Sequence, residues 1–177
     1  GPAFVTVTVN PIPSAPVAGS NSPVCVGSSL TLSANTISGA SYSWTGPNGF
    51  SSTLQNPVIA NVTAASAGTY SVTATVGGCS GPAGTTSVTI NPTPLSTPSQ
   101  NNVSCYGGNN GSATVVATGG TSPYTYLWSN TQTTSSATGL ITGSYTATVT
   151  DSKGCKVSAT VSITQPATPL SSSTTQS

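Results

Sequence analysis

The sequence has few side chains that could take part in catalysis or ligand binding, and four cysteines make up most of them. Among 177 residues the charged set consists of Asp151, Lys153 and Lys156, and there is no histidine. General acid–base catalysis needs a tunable pair of titratable groups, and a serine nucleophile needs a base to activate it. Neither arrangement can be assembled from this set. We therefore expect no catalytic residues and no enzymatic activity.

The charge balance also excludes several kinds of partner. With a net charge of +1 and two lysines, the chain cannot neutralise a nucleic-acid backbone or bind an anionic lipid surface. No stretch approaches 18 consecutive apolar residues, so we expect no membrane insertion in this segment. Asp151 could contribute to a calcium site, but calcium prefers more than one carboxylate. We therefore expect Asp151 to be a solvated turn residue, and we expect no metal and no cofactor.

The chain contains two related stretches with the same landmarks in the same order. Each has a Cys-x-Gly motif, a Tyr-x-Trp motif, a Gly-x-Tyr motif, a Gly-Cys pair and a closing apolar strand before a proline. The landmarks are Cys25, Trp44, Tyr70, Cys79 and Ile90 in the first stretch, and Cys105, Trp128, Tyr145, Cys155 and Ile163 in the second. Repeated landmarks of this kind indicate tandem domains of similar architecture.

The repeat also suggests how the cysteines pair. Four cysteines allow three connectivities. One cysteine precedes the first strong strand of each repeat and one lies near its end, so we expect the intradomain pairs Cys25–Cys79 and Cys105–Cys155. Each would close a loop of about 50 residues and contribute on the order of 4 kcal/mol in the chain-entropy model. Four free thiols remain the alternative, and the spacing does not favour a metal site.

Short alternating segments separated by Gly, Pro and Asn predict an all-β fold. The predicted strands are Ser29–Ala34, Ser41–Trp44, Val58–Val62, Gly68–Val76 and Thr86–Asn91 in the first repeat, and Ser112–Thr118, Tyr124–Trp128, Gly143–Thr150 and Lys156–Ile163 in the second. The turn at 151–154 predicts a hairpin with glycine in the left-handed position. Several short strands at regular spacing indicate tandem antiparallel sandwiches of immunoglobulin-like type.

The aromatic residues support that fold class. Trp44 and Trp128 are expected in the two cores. Tyr70 and Tyr145 follow Gly-Thr and Gly-Ser and resemble the tyrosine corner of immunoglobulin-like domains, whose hydroxyl bonds to upstream backbone. Tyr42, Tyr124 and Tyr126 lie at two-residue spacing from the tryptophans, so they share a strand face with them. A core role is favoured for these tyrosines, and stacking on a glycan is the alternative.

Matching of the ends against the repeats predicts the domain boundaries. Residues 1–13 resemble the last strand of the first repeat, so we expect them to end a preceding domain. Residues 14–93 and 94–166 form the two repeats, and 167–177 are a linker or the start of another repeat. Proline at the junctions favours extended linkers.

The second repeat resembles the SprB repeat, on the motifs Cys105-x-Gly-Gly, Pro123-Tyr-x-Tyr-x-Trp128, Gly143-x-Tyr145 and Gly154-Cys155. The first repeat, with Cys25-x-Gly and Trp44-x-Gly-Pro-Asn-Gly-Phe, resembles PKD-like or Ig-like repeats. The resemblance implies very large, secreted cell-surface adhesins of Bacteroidota, including those used for gliding. The near absence of charge departs from that pattern, so a static fibre fits equally well.

Repeated domains without expected catalytic residues predict a structural or adhesive segment of a secreted surface protein or extracellular filament. The expected partners are neighbouring repeats of the same chain, other copies in fibres, and a surface polysaccharide. The alternative is a carbohydrate-binding module that uses exposed aromatic residues. Filaments could form by covalent continuity, which we favour, or by donation of the strand at 4–10 to another chain.

Overall fold

Both repeats fold into sandwiches of short strands in the computed structural model, which describes residues 2 and 10–167. The chain divides into two compact units at Asn91 and Pro92. The strands of the first are β1 (Ala18–Ser20), β2 (Val24–Cys25), β3 (Leu30–Ala34), β4 (Ser41–Thr45), β5 (Ser51–Ser52), β6 (Val58–Ile59), β7 (Gly68–Val76), β8 (Cys79–Ser80), β9 (Gly84–Val88) and β10 (Ile90–Asn91). Two 3-10 turns cover Pro47–Gly49 and Ala64–Ser66.

The first domain packs two sheets against each other. One has the order β1-β3-β6, and the other has the order β5-β4-β7, with β8 and β9 following each other along the free edge of β7. Alternate residues of β3 and β4 are buried, as a strand with one face on a core requires. The core is formed by Leu30, Leu32, Ala34, Tyr42, Trp44, Val62, Tyr70, Val72, Ala74 and Val88.

The second domain has the same plan with longer strands. They are β11 (Pro94–Asn101), β12 (Gly111–Gly119), β13 (Thr125–Trp128), β14 (Ser136–Leu140), β15 (Gly143–Thr150) and β16 (Lys156–Ile163). The sheets have the orders β11-β12-β14 and β13-β15-β16. Their facing sides enclose Val103, Ala113, Val115, Trp128, Ala137, Leu140, Ala147, Val149, Ala159, Val161 and Ile163. The prediction of tandem immunoglobulin-like β-sandwiches is therefore confirmed.

Most pairings are antiparallel, but β2 and β10, the second and the last strands of the first domain, are parallel. Val24 lies opposite Ile90, and Cys25 lies opposite Asn91. At the other end of the same edge, the Asn10 side-chain amide donates a 3.1 Å hydrogen bond to the carbonyl of Gly77. The chain therefore crosses this domain from the Gly77 end, here called the entry end, to the Asn91 end, the exit end.

The second domain is crossed in the same way. Pro94 in β11 pairs with Gly119, and this defines its entry end. After β11, the Val103 amide donates a 2.9 Å hydrogen bond to the carbonyl of Thr164, just beyond β16. The chain thus begins its first strand at the entry end and completes its last strand at the exit end.

Residues 10–13, predicted to end a preceding domain, lie against the first domain. Asn10 contacts Gly77, and the carbonyl of Pro13 lies against Gly81. The close approach at Gly81 leaves no room for a side chain, because a Cβ there would lie 2.4 Å from that carbonyl oxygen. The rest of the strand expected in 1–13, apart from Pro2, lies outside the described residues, as do 168–177.

Candidate functional site: the tyrosine corners, Asp151 and the cysteines at the domain ends

The start of β7 carries a buried tyrosine corner. Thr63 and Ser66 form a capping box that fixes the 3-10 turn before β7. The Tyr70 hydroxyl donates a 2.9 Å hydrogen bond to the carbonyl of Ser66, four residues upstream. Burial raises the pKa of this phenol above its usual range. The bond ties the loop at one end of the sandwich to a core strand.

Two neighbouring residues pack against the Tyr70 ring. Phe50 meets it edge-on, with ring centroids 5.4 Å apart. Gly46 lies directly against the ring, because a Cβ at that position would come within 2.3 Å of a ring carbon. The Gly-Pro-Asn-Gly-Phe sequence after Trp44 therefore closes over the corner.

The second domain has the same connection in a more open form. The Tyr145 hydroxyl donates a 3.2 Å hydrogen bond to the carbonyl of Ile141, again four residues upstream. Tyr145 is half-buried, whereas Tyr70 is 1% exposed. The two corners share the bond, but the bond of Tyr145 is open to water and we expect it to contribute less stability.

Both tryptophans lie at the centres of their cores. The Trp44 indole N–H donates to the carbonyl of Gln55 at 3.2 Å, and the Trp128 N–H donates to Thr134 at 2.9 Å. Each indole is therefore buried with its one donor satisfied, as a stable aromatic core requires.

The tyrosines considered for glycan contact are core or core-edge residues. Tyr42 is buried; its hydroxyl donates to the carbonyl of Asn35 and accepts from the Ile37 amide, at 2.9 and 2.8 Å. Tyr42 therefore has the favoured core role, and the alternative of glycan contact does not fit a side chain that is 8% exposed. Tyr124 and Tyr126 are half-buried and pack against the second core, and the Tyr124 hydroxyl donates to the carbonyl of Gly119.

Asp151 is buried within the β15–β16 hairpin, so the expectation of a solvated turn aspartate is wrong. Its carboxylate accepts backbone hydrogen bonds from Thr121, Lys153 and Cys155 at 2.9, 2.9 and 2.8 Å. Burial opposes ionisation, but these three N–H groups and the Lys153 charge outweigh it and hold the pKa below its usual range. Gly120, at φ +61°, lets its loop lie against this carboxylate. The only carboxylate of the chain therefore joins two loops at the entry end.

The cysteines of the first domain lie at opposite ends of it. Cys25 is beside Asn91 at the exit end. Cys79 lies opposite Val76 at the entry end, and its thiol donates to the carbonyl of Asn10 at 3.8 Å. β9 runs beside β7 from Gly68 to Val72, and β8 continues along that edge to Val76. Gly68 and Val76 are eight steps apart, about 26 Å at about 3.3 Å per residue.

The second domain repeats this arrangement. Cys155 closes the β15–β16 hairpin at the entry end, where its amide donates to Asp151. Cys105 follows Val103 at the exit end, and its loop is fixed there because the Gly107 amide donates to the Gln165 side chain at 2.9 Å. The length of β16 separates them by roughly 25 Å at about 3.3 Å per residue.

The predicted pairs Cys25–Cys79 and Cys105–Cys155 are therefore wrong. A disulfide needs Cα atoms within about 7 Å of each other, and the length of a sandwich lies between the two members of each pair. Cys79 and Cys105 carry free thiols. Cys25 and Cys155 are both disulfide-bonded. The repeat indicated correctly that Cys25 is equivalent to Cys105 and Cys79 to Cys155. Equivalent cysteines lie at the same end of their domains, and this equivalence does not show which cysteine is the disulfide partner of another.

The architecture defines immunoglobulin-like sandwich domains in tandem, and comparison with known proteins gives the kinds of domain. Residues 14–91 match the family model of the PKD domain. Residues 97–133 match the SprB repeat. The resemblance found in the sequence is confirmed in both halves of the chain. Both families are repeats that are typically structural and non-catalytic, and they are typical of extracellular surface proteins. No curated protein matches the chain.

Solved structures that resemble this chain are distant from it in sequence. The eight N-terminal Ig domains of Down Syndrome Cell Adhesion Molecule (DSCAM) isoform 1.30.30 match 87% of this chain at 14% identity and a TM-score of 0.53. Three N-terminal domains of the bacteriophage RB49 Highly Immunogenic Outer Capsid protein match 85% at 17% identity and a TM-score of 0.45. The chain spans 27% and 59% of those two structures. At 14% identity, the DSCAM match shows the fold alone.

No helix within the described residues is long and apolar enough to cross a membrane.

Proposed function

We propose that this chain is a structural and adhesive repeat segment of a large secreted bacterial surface protein or extracellular filament. The observation that carries the proposal is that each domain takes the chain in at one end and releases it at the other. In the first domain the path runs from Asn10 beside Gly77 to Asn91 beside Cys25. Domains built in this way can be added in series without the chain turning back.

The character of the surface supports a load-bearing role over a recognition role. The large aromatic side chains Trp44, Trp128, Tyr42 and Tyr70 are buried, so they stabilise the domains and do not form a stacking platform. Three charged side chains in 177 residues leave hydration to hydroxyl and amide groups. Such a surface has almost no ion pairs for salt to screen, which suits a protein exposed to changing ionic strength.

Connections between loops and strands at the domain ends also suit a role under tension. The Tyr70–Ser66 bond joins the loop before β7 to the core, and Asp151 joins the 119–123 loop to the last hairpin. In the first domain β2 and the last strand, β10, run parallel, so a pull along the chain would shear their contacts together and would not open them one at a time.

Microscopy of the native protein from which this chain comes tests the proposal. We expect a thin fibre whose axial repeat is about 35–40 Å per domain, since Cys79 and Asn91 are twelve residues apart and a strand rises about 3.3 Å per residue. Particles without an axial repeat at every protein concentration would overturn it.

A further inference from the structure

Two asparagines of this chain are followed by glycine, and their surroundings differ. The pairs are Asn48-Gly49 in the first domain and Asn110-Gly111 in the second. The side-chain amide of an asparagine is open to attack by the backbone nitrogen of the next residue, and glycine hinders that attack least because it has no Cβ. The sequence therefore makes both pairs candidates for loss of the side-chain amide, and the fold decides which one reacts.

Asn48 lies in an open turn. Asn48 and Gly49 are both exposed in the 3-10 turn Pro47–Gly49. Among the residues that the structure describes, none forms a hydrogen bond with the Asn48 side chain. A Cβ on Gly49 would meet no atom within 4 Å, so the space beside the attacking nitrogen is open to water.

The backbone at Asn48 is held in place only by a surface turn. Asn48 has φ +56° and ψ +32°, in the left-handed region that costs an L-residue energy, so a rotation out of it gives up no preferred conformation. The turn is closed by the Phe50 amide, which donates to Pro47 at 3.1 Å, and by the Gly46 amide, which donates to Phe50 at 3.0 Å. Local opening of two such bonds brings the Gly49 nitrogen within reach of the Asn48 side chain.

Asn110 is held at both atoms of its side-chain amide. Its Nδ2 donates a 2.7 Å hydrogen bond to the Ser104 hydroxyl, and its Oδ1 accepts a 3.1 Å hydrogen bond from the Ser104 amide. Gly111 is buried at the start of β12, where a Cβ would lie 2.8 Å from the Leu140 carbonyl oxygen. Ring closure at Asn110 would break both side-chain bonds and displace a buried strand residue.

We propose that Asn48 is a site of spontaneous deamidation, which converts it to aspartate and isoaspartate, and that the fold protects Asn110 from the same reaction. Water is the only co-reactant. This modification goes beyond the proposed function and does not depend on it.

The reaction has two balanced steps. The Gly49 nitrogen forms a bond to Cγ of Asn48, the bond between Cγ and Nδ2 breaks, and ammonia leaves with the proton that Gly49 loses. Water then opens the resulting five-membered succinimide. Opening at Cγ gives aspartate, and opening at the backbone carbonyl carbon gives isoaspartate, in which the main chain runs through the former side chain. One water is consumed and one ammonia is released.

The product changes both the charge and the backbone of the first domain. The three charged side chains of the chain all lie between 151 and 156, so a carboxylate at 48 is the first charged side chain of this domain and lowers the net charge from +1 to 0. Isoaspartate also adds one carbon to the main chain of the turn between Gly46 and Phe50, the two residues that pack on the Tyr70 ring.

The test follows both asparagines in the whole 177-residue chain during incubation at mildly alkaline pH. One sample stays folded and a second is unfolded in guanidinium chloride with dithiothreitol. Chymotrypsin places the two pairs on different peptides, mass spectrometry measures the conversion of each, and a zero-time sample corrects for conversion during digestion. In the unfolded chain we expect similar rates at the two pairs. In the folded chain Asn110 should convert at least roughly tenfold more slowly than Asn48, because two hydrogen bonds must break first.

Two variants provide the controls on isoelectric focusing. The aged folded chain should acquire a more acidic band at the position of Asn48→Asp, and Asn48→Ser should not acquire it in the same time. Equal conversion of the two pairs in the folded chain would overturn the proposal. So would an Asn48 that converts only when unfolded, or the same acidic band in Asn48→Ser. None of these results affects whether the native protein forms a fibre, so the two proposals fail separately.

Discussion

Cys25 and Cys79 belong to the same domain and lie at its opposite ends. Cys25 lies opposite Asn91 in the pairing of β2 with β10, where the domain ends. The thiol of Cys79 contacts the Asn10 carbonyl, where the chain enters. The sandwich therefore does not depend on an internal disulfide, and its stability must come from its core. The aromatic residues and Asp151 accordingly provide the sharpest tests.

The two tyrosine corners should differ in their contribution to stability. Removal of the Tyr70 hydroxyl leaves the buried Ser66 carbonyl without its donor, so Tyr70→Phe should cost about 1.5 kcal/mol, and Tyr145→Phe about 0.5 kcal/mol. Urea unfolding followed by tryptophan fluorescence measures both losses of stability. The Tyr70 variant is made in a Trp128→Phe chain and the Tyr145 variant in a Trp44→Phe chain, so that the remaining tryptophan follows the domain that carries the tyrosine change. Equal losses would show that burial of the first corner is unimportant.

The tryptophans should act as core residues and not as ligand contacts. Trp44→Ala or Trp128→Ala should destabilise its own domain by about 3–5 kcal/mol, because each removes a fully buried side chain. Trp→Phe at the same positions serves as the matched control, with a smaller loss. A well-folded alanine variant that selectively loses binding on a glycan array would contradict this assignment and favour the carbohydrate-binding alternative.

Acid stability should be governed by Asp151. Its pKa is lowered on folding, so it stabilises the fold above its unfolded pKa of about 3.9, and that contribution is lost as the pH falls through the lower folded value. With no histidine or glutamate, the melting temperature should be flat from about pH 7 to pH 5 and fall only below about pH 4.

Asp151→Asn is the matched variant for this titration. An amide group presents its own N–H to one of the three backbone donors, so the variant should melt at a lower temperature at neutral pH and lose most of the acid dependence. An unchanged acid transition in the variant would show that another group controls it. Scanning calorimetry at a series of pH values measures both effects.

Salt should have little effect on unfolding. Stabilisation by surface ion pairs is screened by salt, and this chain has one acidic and two basic side chains. The urea midpoint should therefore be nearly the same at about 0.05 M and about 1 M sodium chloride, where the Debye length falls from more than 10 Å to about 3 Å. A large shift would indicate charge interactions beyond the one between Asp151 and Lys153.

Strands with alternating apolar residues could be predicted from the sequence, and those without them could not. β7, β15 and β16 have the bounds that alternation predicts. β11 was missed because Pro94 and Pro98 suggest a linker, yet it lies at a sheet edge, where proline is tolerated. β14 was missed because Ser136–Leu140 has few apolar residues to show a period.

The candidate site was predictable in its parts but not in its geometry. The Gly-x-Tyr motif located both tyrosine corners, because the motif and the hydrogen bond lie within five residues. The cysteine pairing depends on which ends of the sandwich two distant segments reach, and spacing does not contain that information. Asp151 looked like a solvated turn residue because its donor Thr121 comes from another loop, 30 positions earlier.

Disulfide mapping of the native protein without reductant tests the central claim, that the cysteines of each domain lie at opposite ends. Alkylation with iodoacetamide followed by chymotrypsin and mass spectrometry should find Cys25 and Cys155 in disulfide-linked peptides. In a monomeric preparation of this 177-residue chain, Cys79 and Cys105 should be alkylated. A Cys25–Cys79 or Cys105–Cys155 linked peptide would contradict the account.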